Sequence, residues 1–328
     1  MKSFDWIQPT TIADAVAALE HPGAMPLGGG VDLLDRMKER IDSPSRLVSL
    51  RGLSGLDAIE VAAGEARIGA SVTLAQLAAD PKLRASHAII GDAAGHAATP
   101  QLRAMATLGG NLAQRPRCWY FRSEQFPCRK KGGEACFAHA GDSEMHAIFG
   151  NKLCAATHPS TVATALVALG ARVTIAARGG KLREVELAKF FVAPETDLKR
   201  EVDLQPGELI TGVVVPAIPG HVRTAYTKQV AKQSFDWPLA DVAVALAFDG
   251  GTCRKATIVL GAVAPTPLRA TQAERLLEGK AIDDRVARTA AAAMVATATP
   301  LADNRFKLPV LETVIARTIV AATARRTP

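Results

Sequence analysis

Apolar and polar positions follow two different patterns along the first part of the chain. Extended apolar stretches are separated by segments in which apolar residues recur with the period of a helix. Thr10 or Thr11 can cap a helix that runs to about Leu19, and Gly28-Gly29-Gly30 opens a second helix over Val31–Glu39. Strands are predicted at residues 3–7, 25–27 and 46–50. This alternation predicts a small α/β unit over residues 1–55.

The middle of the chain, residues 56–218, predicts a second unit of strands and helices. Its strands are predicted at residues 58–63, 66–70, 171–177 and 207–216, and its helices at 71–80, 87–98 and 160–169. Pro216–Gly220 is rich in Pro and Gly, which predicts a linker. A third unit, residues 219–328, begins with strands at 224–231 and 256–263 and ends with helices at 286–299 and 311–326.

Length and composition agree with several folded domains. With 328 residues the chain exceeds the size at which one hydrophobic core stops growing, so two or three domains are expected. Hydrophobic residues make up 48% and charged residues 22%, which excludes a disordered or fibrous chain. No apolar run approaches the ~20 residues of a membrane span, and the first residues lack the pattern of a secretory signal. The net charge of +7 fits a basic surface or an anionic partner such as nucleic acid.

Two glycine-rich stretches are candidates for anion binding. Gly28-Gly29-Gly30 lies between a predicted strand and a predicted helix, and Thr107-Leu108-Gly109-Gly110-Asn111 follows later. Glycines let backbone N–H groups approach a phosphate closely. Taken alone, however, a triple glycine is more often a tight turn, and the second stretch also fits a strand-end turn. Neither matches a common nucleotide-binding fingerprint. Two such loops in one unit favour a shared anionic ligand, such as a dinucleotide pyrophosphate.

Four of the five cysteines fall within 37 consecutive residues. They are Cys118, Cys128, Cys136 and Cys154, separated by nine, seven and seventeen residues. Four thiolates can hold a [4Fe–4S] cluster or a zinc ion, although zinc sites usually contain a closely spaced pair that is absent here. Unligated or disulfide-bonded cysteines remain a third interpretation. Aromatic and basic residues flank the cysteines, as suits an anionic cluster. Cys253 lies apart in a predicted turn and is interpreted as an incidental thiol.

Other chemistry finds no support in the sequence. The histidines near the cysteines, His139, His146 and His158, lack the spacing of a metalloprotease motif, and no G-x-S-x-G nucleophile elbow occurs. Hydrolysis is therefore not expected, whereas redox chemistry is.

The chain resembles the FAD-binding subunit of the xanthine dehydrogenase and aldehyde oxidoreductase family in seven segments, which occur in the same order as in that family. They span nearly the whole chain and are LGGGVDLLDRMK, IGASVTLAQL, TPQLRAMATLGGNL, GELITGVVVP, KQVAKQSFDWPLADVAVAL, GAVAPTPLRATQAERLLEG and DNRFK. The cysteine segment, about residues 114–157, resembles an insertion that holds a [4Fe–4S] cluster in periplasmic aldehyde oxidoreductase flavin subunits and in hydroxybenzoyl-CoA reductase. The resemblance therefore favours iron–sulfur over zinc.

The resemblance implies a fold and a cofactor site. The fold is a PCMH-type FAD-binding fold, α+β or α/β, of two α/β subdomains followed by a C-terminal α+β domain with a three-stranded sheet and helices. Lys228 aligns with a family lysine that reaches the flavin, and the family often has Asp where this chain has Thr161. The residues implied to bind FAD are Pro26, Leu27, Gly28, Gly29, Gly30, Val31, Asp32, Leu33, Thr107, Gly110, Asn111, Ser160, Thr161, Ile210 and Lys228.

The resemblance also implies a function and partners. A large molybdenum subunit would oxidise an aldehyde to a carboxylic acid, and a small subunit with two [2Fe–2S] centres would complete a heterotrimer. Electrons would reach FAD on this chain and leave for an external acceptor. Substrates of the hydroxybenzoyl-CoA reductase or xanthine dehydrogenase type are alternatives. Two other interpretations are a self-sufficient flavin oxidoreductase and a zinc-binding nucleic-acid module. No nucleic acid and no membrane insertion are expected.

Localisation follows from the partners rather than from this chain. The relatives suggest residence in the periplasm by export together with a partner that bears a twin-arginine signal, and the cytoplasm is the alternative.

Overall fold

The computed structural model describes residues 2–232 and 234–324. The first unit is a three-stranded parallel sheet in the order β1-β3-β2 with helices in its crossovers. Its elements are β1 (Asp5–Ile7), α1 (Ile12–Leu19), β2 (Ala24–Leu27), α2 (Leu33–Lys38) and β3 (Arg46–Ser49). Thr11 caps α1 by accepting a hydrogen bond of 3.1 Å from the Asp14 N–H. Val16, Leu19 and Val48 pack in a core that Leu209 extends into the second unit.

The second unit is a five-stranded antiparallel sheet in the order β4-β5-β8-β6-β7. Its strands are β4 (Ile59–Ala62), β5 (Glu65–Gly69), β6 (Arg172–Ala176), β7 (Leu182–Glu186) and β8 (Leu209–Val215). Its helices are α3 (Leu74–Ala79), α4 (Pro81–Ser86), α5 (Ala88–Gly95), α6 (Pro100–Met105), α7 (Leu108–Leu112), α8 (Trp119–Arg122), α9 (Thr161–Ala168) and α10 (Leu187–Phe190). Every residue of α9 is buried, so this helix forms the centre of the unit.

The third unit is an antiparallel sheet in the order β12-β11-β10-β9 with three helices packed on it. Its elements are β9 (Val222–Gln229), β10 (Ala240–Asp249), β11 (Thr252–Gly261), β12 (Leu268–Arg269), α11 (Thr271–Leu277), α12 (Asp284–Val295) and α13 (Lys307–Thr323). Alternate residues of β10 point to opposite cores. Val242 and Val244 face the three helices, whereas Ala243 faces the second unit.

Several expectations are corrected by the structure. The C-terminal sheet has four strands rather than three, because the two-residue strand β12 pairs with β11. Thr107–Asn111 is no strand-end turn: Thr107 caps the short helix α7. Cys253 lies buried in β11 and not in a turn. The predicted C-terminal helix corresponds to α13, and its last two residues, Arg325 and Arg326, lie outside the described residues.

Candidate functional site

One large cavity lies where the three units meet. Its volume is about 700 Å³, which is within the range of cofactor sites. Residues from the loop after β2, from α7, β8 and β9, and from the 235–238 loop form its wall. Of the residues implied to bind FAD, the cavity is lined by Pro26, Leu27, Gly28, Gly29, Gly30, Val31, Asp32, Leu33, Thr107, Gly110, Asn111, Thr161, Ile210 and Lys228.

Ser160 is the one residue of the implied set that does not line this cavity. It is buried, caps α9 by accepting from the Ala163 N–H at 3.0 Å, and donates its hydroxyl to Asn111 Oδ1 at 2.5 Å. Ser160 therefore orients Asn111, whose side chain is on the wall.

The two glycine stretches pack directly against each other. A Cβ on Gly28 would come within 2.7 Å of Thr107 Oγ1, and a Cβ on Gly29 would overlap the carbonyl oxygen of Met105. Gly30 has φ of +75°, a left-handed conformation that glycine adopts without strain. Side chains at Gly28 or Gly29 would push the two loops apart, so these two glycines bring two backbone segments to one edge of the cavity.

A group of arginines converges on Asp32 at the same edge. The Asp32 carboxylate lies 3.1 Å from Arg36 Nε, 3.1 Å from Arg117 and 2.5 Å from Arg122, and it accepts the Arg115 backbone N–H. Burial alone would raise the pKa of Asp32, but the arginines together lower it below its ordinary value. The carboxylate is thus used to hold basic side chains in place.

None of these arginines was among the expected cofactor residues, although Arg36, Arg115 and Arg117 all line the cavity. Arg115 and Arg117 line the cavity, Arg117 lies over the Trp237 ring at 5.2 Å, and Arg115 forms an ion pair with Glu201 at 2.8 Å. Their concentration near Cys118 was visible in the sequence, but their partner Asp32 is more than 80 residues away. The arginines join the start of the cysteine segment to the wall of the cavity.

Lys228 of β9 also lines the cavity. Its Nζ donates to the carbonyl oxygens of His96 and Asp236, both at 2.9 Å. Partial burial lowers the pKa of Lys228 below its ordinary value.

The four clustered cysteines surround a second, small cavity. Cys118, Cys128, Cys136 and Cys154 line it together with aromatic and basic residues, namely Tyr120, Phe121, Phe137, Arg129 and Lys130. All four are free thiols, and Cys128 and Cys154 are buried. A hydrogen bond with Cys154 lowers the pKa of Cys136 to about 5 and raises that of Cys154. Within residues 2–232 and 234–324, no three His, Cys, Asp or Glu side chains are grouped closely enough to hold a single metal ion.

Buried polar groups fix the end of the cysteine segment. His146 Nε2 lies 3.2 Å from Cys118 Sγ, and its ring packs edge-on against Trp119 at 4.8 Å. The buried Lys307 and Asn304 donate to the His146 carbonyl oxygen at 3.1 Å and 3.2 Å. His139 bonds the Asn151 carbonyl group instead of a thiol.

No helix in the described part of the chain is long and apolar enough to cross a membrane.

Family models match almost the whole chain. The FAD binding domain in molybdopterin dehydrogenase matches residues 2–218, and the CO dehydrogenase flavoprotein C-terminal domain matches residues 225–320. The chain is 37% identical to the aldehyde oxidoreductase FAD-binding subunit PaoB of Escherichia coli, over 99% of this chain and 100% of that one. It is 32% identical to the carbon monoxide dehydrogenase medium chain of Afipia carboxidovorans, over 92% and 89%.

Solved structures agree with these matches. Quinoline 2-oxidoreductase from Pseudomonas putida 86 superposes with a TM-score of 0.76 at 27% identity, covering 98% of both chains. The expected fold class and family are confirmed. The chain belongs to the family of FAD-binding subunits of molybdenum hydroxylases, which includes the similar subunit of an aldehyde oxidoreductase.

Proposed function

We propose that this chain holds FAD in the large cavity and a [4Fe–4S] cluster among its four clustered cysteines, and that it transfers electrons for a molybdenum enzyme that oxidises aldehydes. The observation that carries the proposal is the pair of cavities. One is of cofactor size and is edged by two glycine loops and arginines, and the other is small and lined by four free thiols.

The large cavity has groups suited to each part of FAD. Gly28, Gly29 and Gly110 pack closely enough for two loops to line one wall, where their backbone would contact the pyrophosphate. Arg115 and Arg117 also line the cavity and add positive charge. Ile210 offers an apolar contact. When bound, FAD exchanges electrons singly and in pairs.

Lys228 and Thr161 would act on the flavin side of the cavity. A cationic Lys228 would favour added electrons, because positive charge stabilises the negative charge of the reduced cofactor. Thr161 is buried and donates its hydroxyl to the Ala93 carbonyl oxygen at 3.2 Å. It therefore contributes shape rather than charge where the family often has Asp.

The thiol cavity suits an iron–sulfur cluster better than zinc. A single zinc ion draws its ligands together around one point, and such a grouping is not found among the described residues. Four cysteines that line one common space provide the ligand set of a [4Fe–4S] cube. Arg129 and Lys130 would balance the negative charge of the cluster, and the aromatic rings would shield it.

The partners and the reaction are inferred from relatives. The 37% identical relative is named a subunit of an aldehyde oxidoreductase, and others are named medium chains of carbon monoxide or glyceraldehyde dehydrogenases. A large molybdenum subunit and a small subunit with two [2Fe–2S] centres would accordingly complete a heterotrimer that passes electrons to an external acceptor. A xanthine dehydrogenase subunit is only 24% identical, so an aldehyde is the favoured substrate.

The chain would be organised for this function in three parts. Residues 1–55 and 56–218 form the two FAD-binding subdomains, the second carrying the cluster segment at about 114–157. Residues 219–328 form the C-terminal flavoprotein domain.

Serine substitutions of two buried cysteines test the proposal. Cys128→Ser removes one thiol of the small cavity, whereas Cys253→Ser removes a thiol buried in β11 outside both cavities. In anaerobically purified full-length protein, Cys128→Ser should lose most iron and acid-labile sulfide while FAD stays bound. Cys253→Ser should match the unchanged protein in both. Equal iron in the two variants would overturn the cluster, and absence of FAD from the unchanged protein would overturn the flavin site.

Unchanged turnover of an assembled Cys128→Ser complex would exclude the cluster as an obligatory electron relay.

A further inference from the structure

A buried carboxyl group lies directly behind the wall of the large cavity. Asp241 is the second residue of β10, a strand that is otherwise apolar up to its last residue, and only 1% of its surface is exposed. It pairs across the sheet with Lys228 of β9, and Ala243 pairs with Tyr226. Side chains directly opposite each other in an antiparallel pair share one face of the sheet and lie about 5 Å apart at Cβ. Asp241, Tyr226 and Lys228 therefore form one group on the face toward α9.

The fold makes room for this carboxyl group. A Cβ on Gly261, the residue paired with Asp241 in β11, would overlap both carboxyl oxygens and the hydroxyl group of Thr164. The space that a side chain at this position would fill is occupied by Asp241 instead. A substitution at Gly261 would expel the acid, so the site for Asp241 is specific.

The immediate partners of Asp241 are hydroxyl groups rather than cations. Thr164 of α9 and Tyr226 interact with the carboxyl group, and no ion pair within 4.0 Å joins it to a cation in the described part of the chain. Asp241 Oδ1 and the Tyr226 hydroxyl are both fully buried, and neither completes a hydrogen bond of ordinary geometry among those residues. Burial raises the pKa of Asp241 to about 7, against the lowering effect of Thr164, Lys228, Tyr226 and Lys307.

The titratable groups around Asp241 come from three elements. Lys228 and Tyr226 face it from β9, and Lys307 acts on it from the start of α13. The His96 ring at the end of α5 lies 6.2 Å from the Tyr226 ring. Lys228 and Thr161 line the large cavity, and the Tyr226 hydroxyl is close enough to Thr161 and to Asp241 for both to affect its pKa. One layer of side chains therefore separates the acid from the space assigned to FAD.

We propose that Asp241 is the proton-exchanging residue of the flavin site, acting from behind Lys228 and Tyr226 without touching the cofactor. This proposal rests on FAD occupying the large cavity. If reduction of FAD bound there added negative charge to the cavity, the ionised Asp241 would take up one proton from solvent water and an O–H bond would form on its carboxyl group. The electrons stay on the cofactor, and the proton returns to water when they leave. Asp241 is thus a positioning residue that compensates charge.

The midpoint potential of bound FAD, measured from about pH 5 to about pH 9, tests the proposal in the full-length protein as purified. Asp241→Asn keeps the shape but cannot ionise, and Asp249→Asn is a matched control because Asp249 is exposed at the far end of β10. We expect the potential of the unchanged protein to fall more steeply through neutral pH than that of Asp241→Asn. The two should agree near pH 5, where Asp241 is protonated, and Asp241→Asn should lie higher above pH 8. Asp249→Asn should follow the unchanged protein. If the potentials of Asp241→Asn and the unchanged protein changed with pH in parallel, with FAD retained in both, the role proposed for Asp241 would be overturned. The proposed flavin site would still stand.

A measurement on the unchanged protein covers the case in which Asp241→Asn fails to fold. Reduction of bound FAD at about pH 8 should add the infrared C=O stretch of a protonated carboxylic acid, and carbon-13 aspartate should shift that band. Absence of the band would overturn the proposal. Absence of bound FAD would instead contradict the proposed flavin site.

Discussion

The two cavities of this protein are built in opposite ways. The large cavity collects residues from positions 25 to 238, and it exists only because three separate units meet. The thiol cavity is lined entirely by residues 118–156, a segment with one short α-helix and two 3₁₀ turns, at Arg129–Lys131 and Phe137–His139. A site made of distant residues depends on the whole fold, whereas a site made of one irregular segment depends on what it binds. The comparison implies that retention of FAD would report on domain packing, whereas the proposed cluster would itself stabilise the cysteine segment.

A single added methyl group at Gly29 should give the largest difference between the two cavities, because it should weaken FAD binding and leave the iron content unchanged. In Gly29→Ala the new Cβ would overlap the Met105 carbonyl oxygen, so the two loops must move apart. Overpacking of this kind costs about 1–3 kcal/mol, which predicts a loss of FAD affinity of roughly fivefold to 150-fold. Flavin released on dilution measures the effect.

The control for this variant is Gly251→Ala, since a Cβ on Gly251 meets no atom within 4 Å. It should retain FAD like the unchanged protein. Iron content should be equal in both variants. Full FAD retention by Gly29→Ala would contradict the role assigned to the packed loops.

The second contrast concerns the arginines that connect the cavities. Asp32→Asn removes the negative charge that Arg36, Arg117 and Arg122 share at a site whose side chain is only 12% exposed. Removing one partner of a buried ion-pair group costs about 3 kcal/mol or more. We therefore expect a lower free energy of unfolding and weaker retention of both cofactors.

Asp35→Asn is the matched control, because Asp35 pairs with two of the same arginines but its side chain is 51% exposed. Such an exposed pair contributes less than about 1 kcal/mol. Chemical denaturation of the two variants measures the difference. Equal stabilities would show that Asp32 does not organise the arginines.

The smallest expected effect lies within the thiol cavity. His146→Phe keeps an aromatic ring beside Trp119 but removes the nitrogen 3.2 Å from Cys118 Sγ. Hydrogen bonds to ligand sulfur stabilise the more negative, reduced cluster. The variant should therefore keep its iron while its cluster potential becomes more negative. His139→Phe serves as the control, since His139 bonds a carbonyl group and not a thiol. Identical shifts in both variants would exclude a specific role for His146.

The sequence was informative wherever a local pattern carried the signal. Helix α1 with its Thr11 cap was predicted in the right place, as was the buried α9, because periodicity and capping residues are local properties. The TLGGNL stretch misled, since its Gly and Asn favour a turn. Packing against Ala70 and the Thr107 cap nevertheless make it helical. Strand β7 (Leu182–Glu186) was missed because an edge strand with three charged residues has little apolar signal.

The site was predictable only in part, because a sequence shows local motifs but not contacts between distant residues. The glycine loops and clustered cysteines are visible as motifs, but the pairing of Asp32 with Arg117 joins residues that only the fold brings together. Asp241 did leave a signal, a lone acid at the head of the apolar run VAVALAF. An acid in a strand buried on both faces must find polar partners, but the sequence could not reveal that these are Tyr226 and Thr164.

The cofactor content of the unchanged protein tests the central claim most directly. Anaerobically purified full-length chain should contain one FAD together with about four irons and four acid-labile sulfides, with a visible spectrum of flavin and cluster bands. Zinc in place of iron would contradict the cluster but leave the flavin site standing. Absence of both FAD and iron from well-folded protein would contradict the assignment of both cavities.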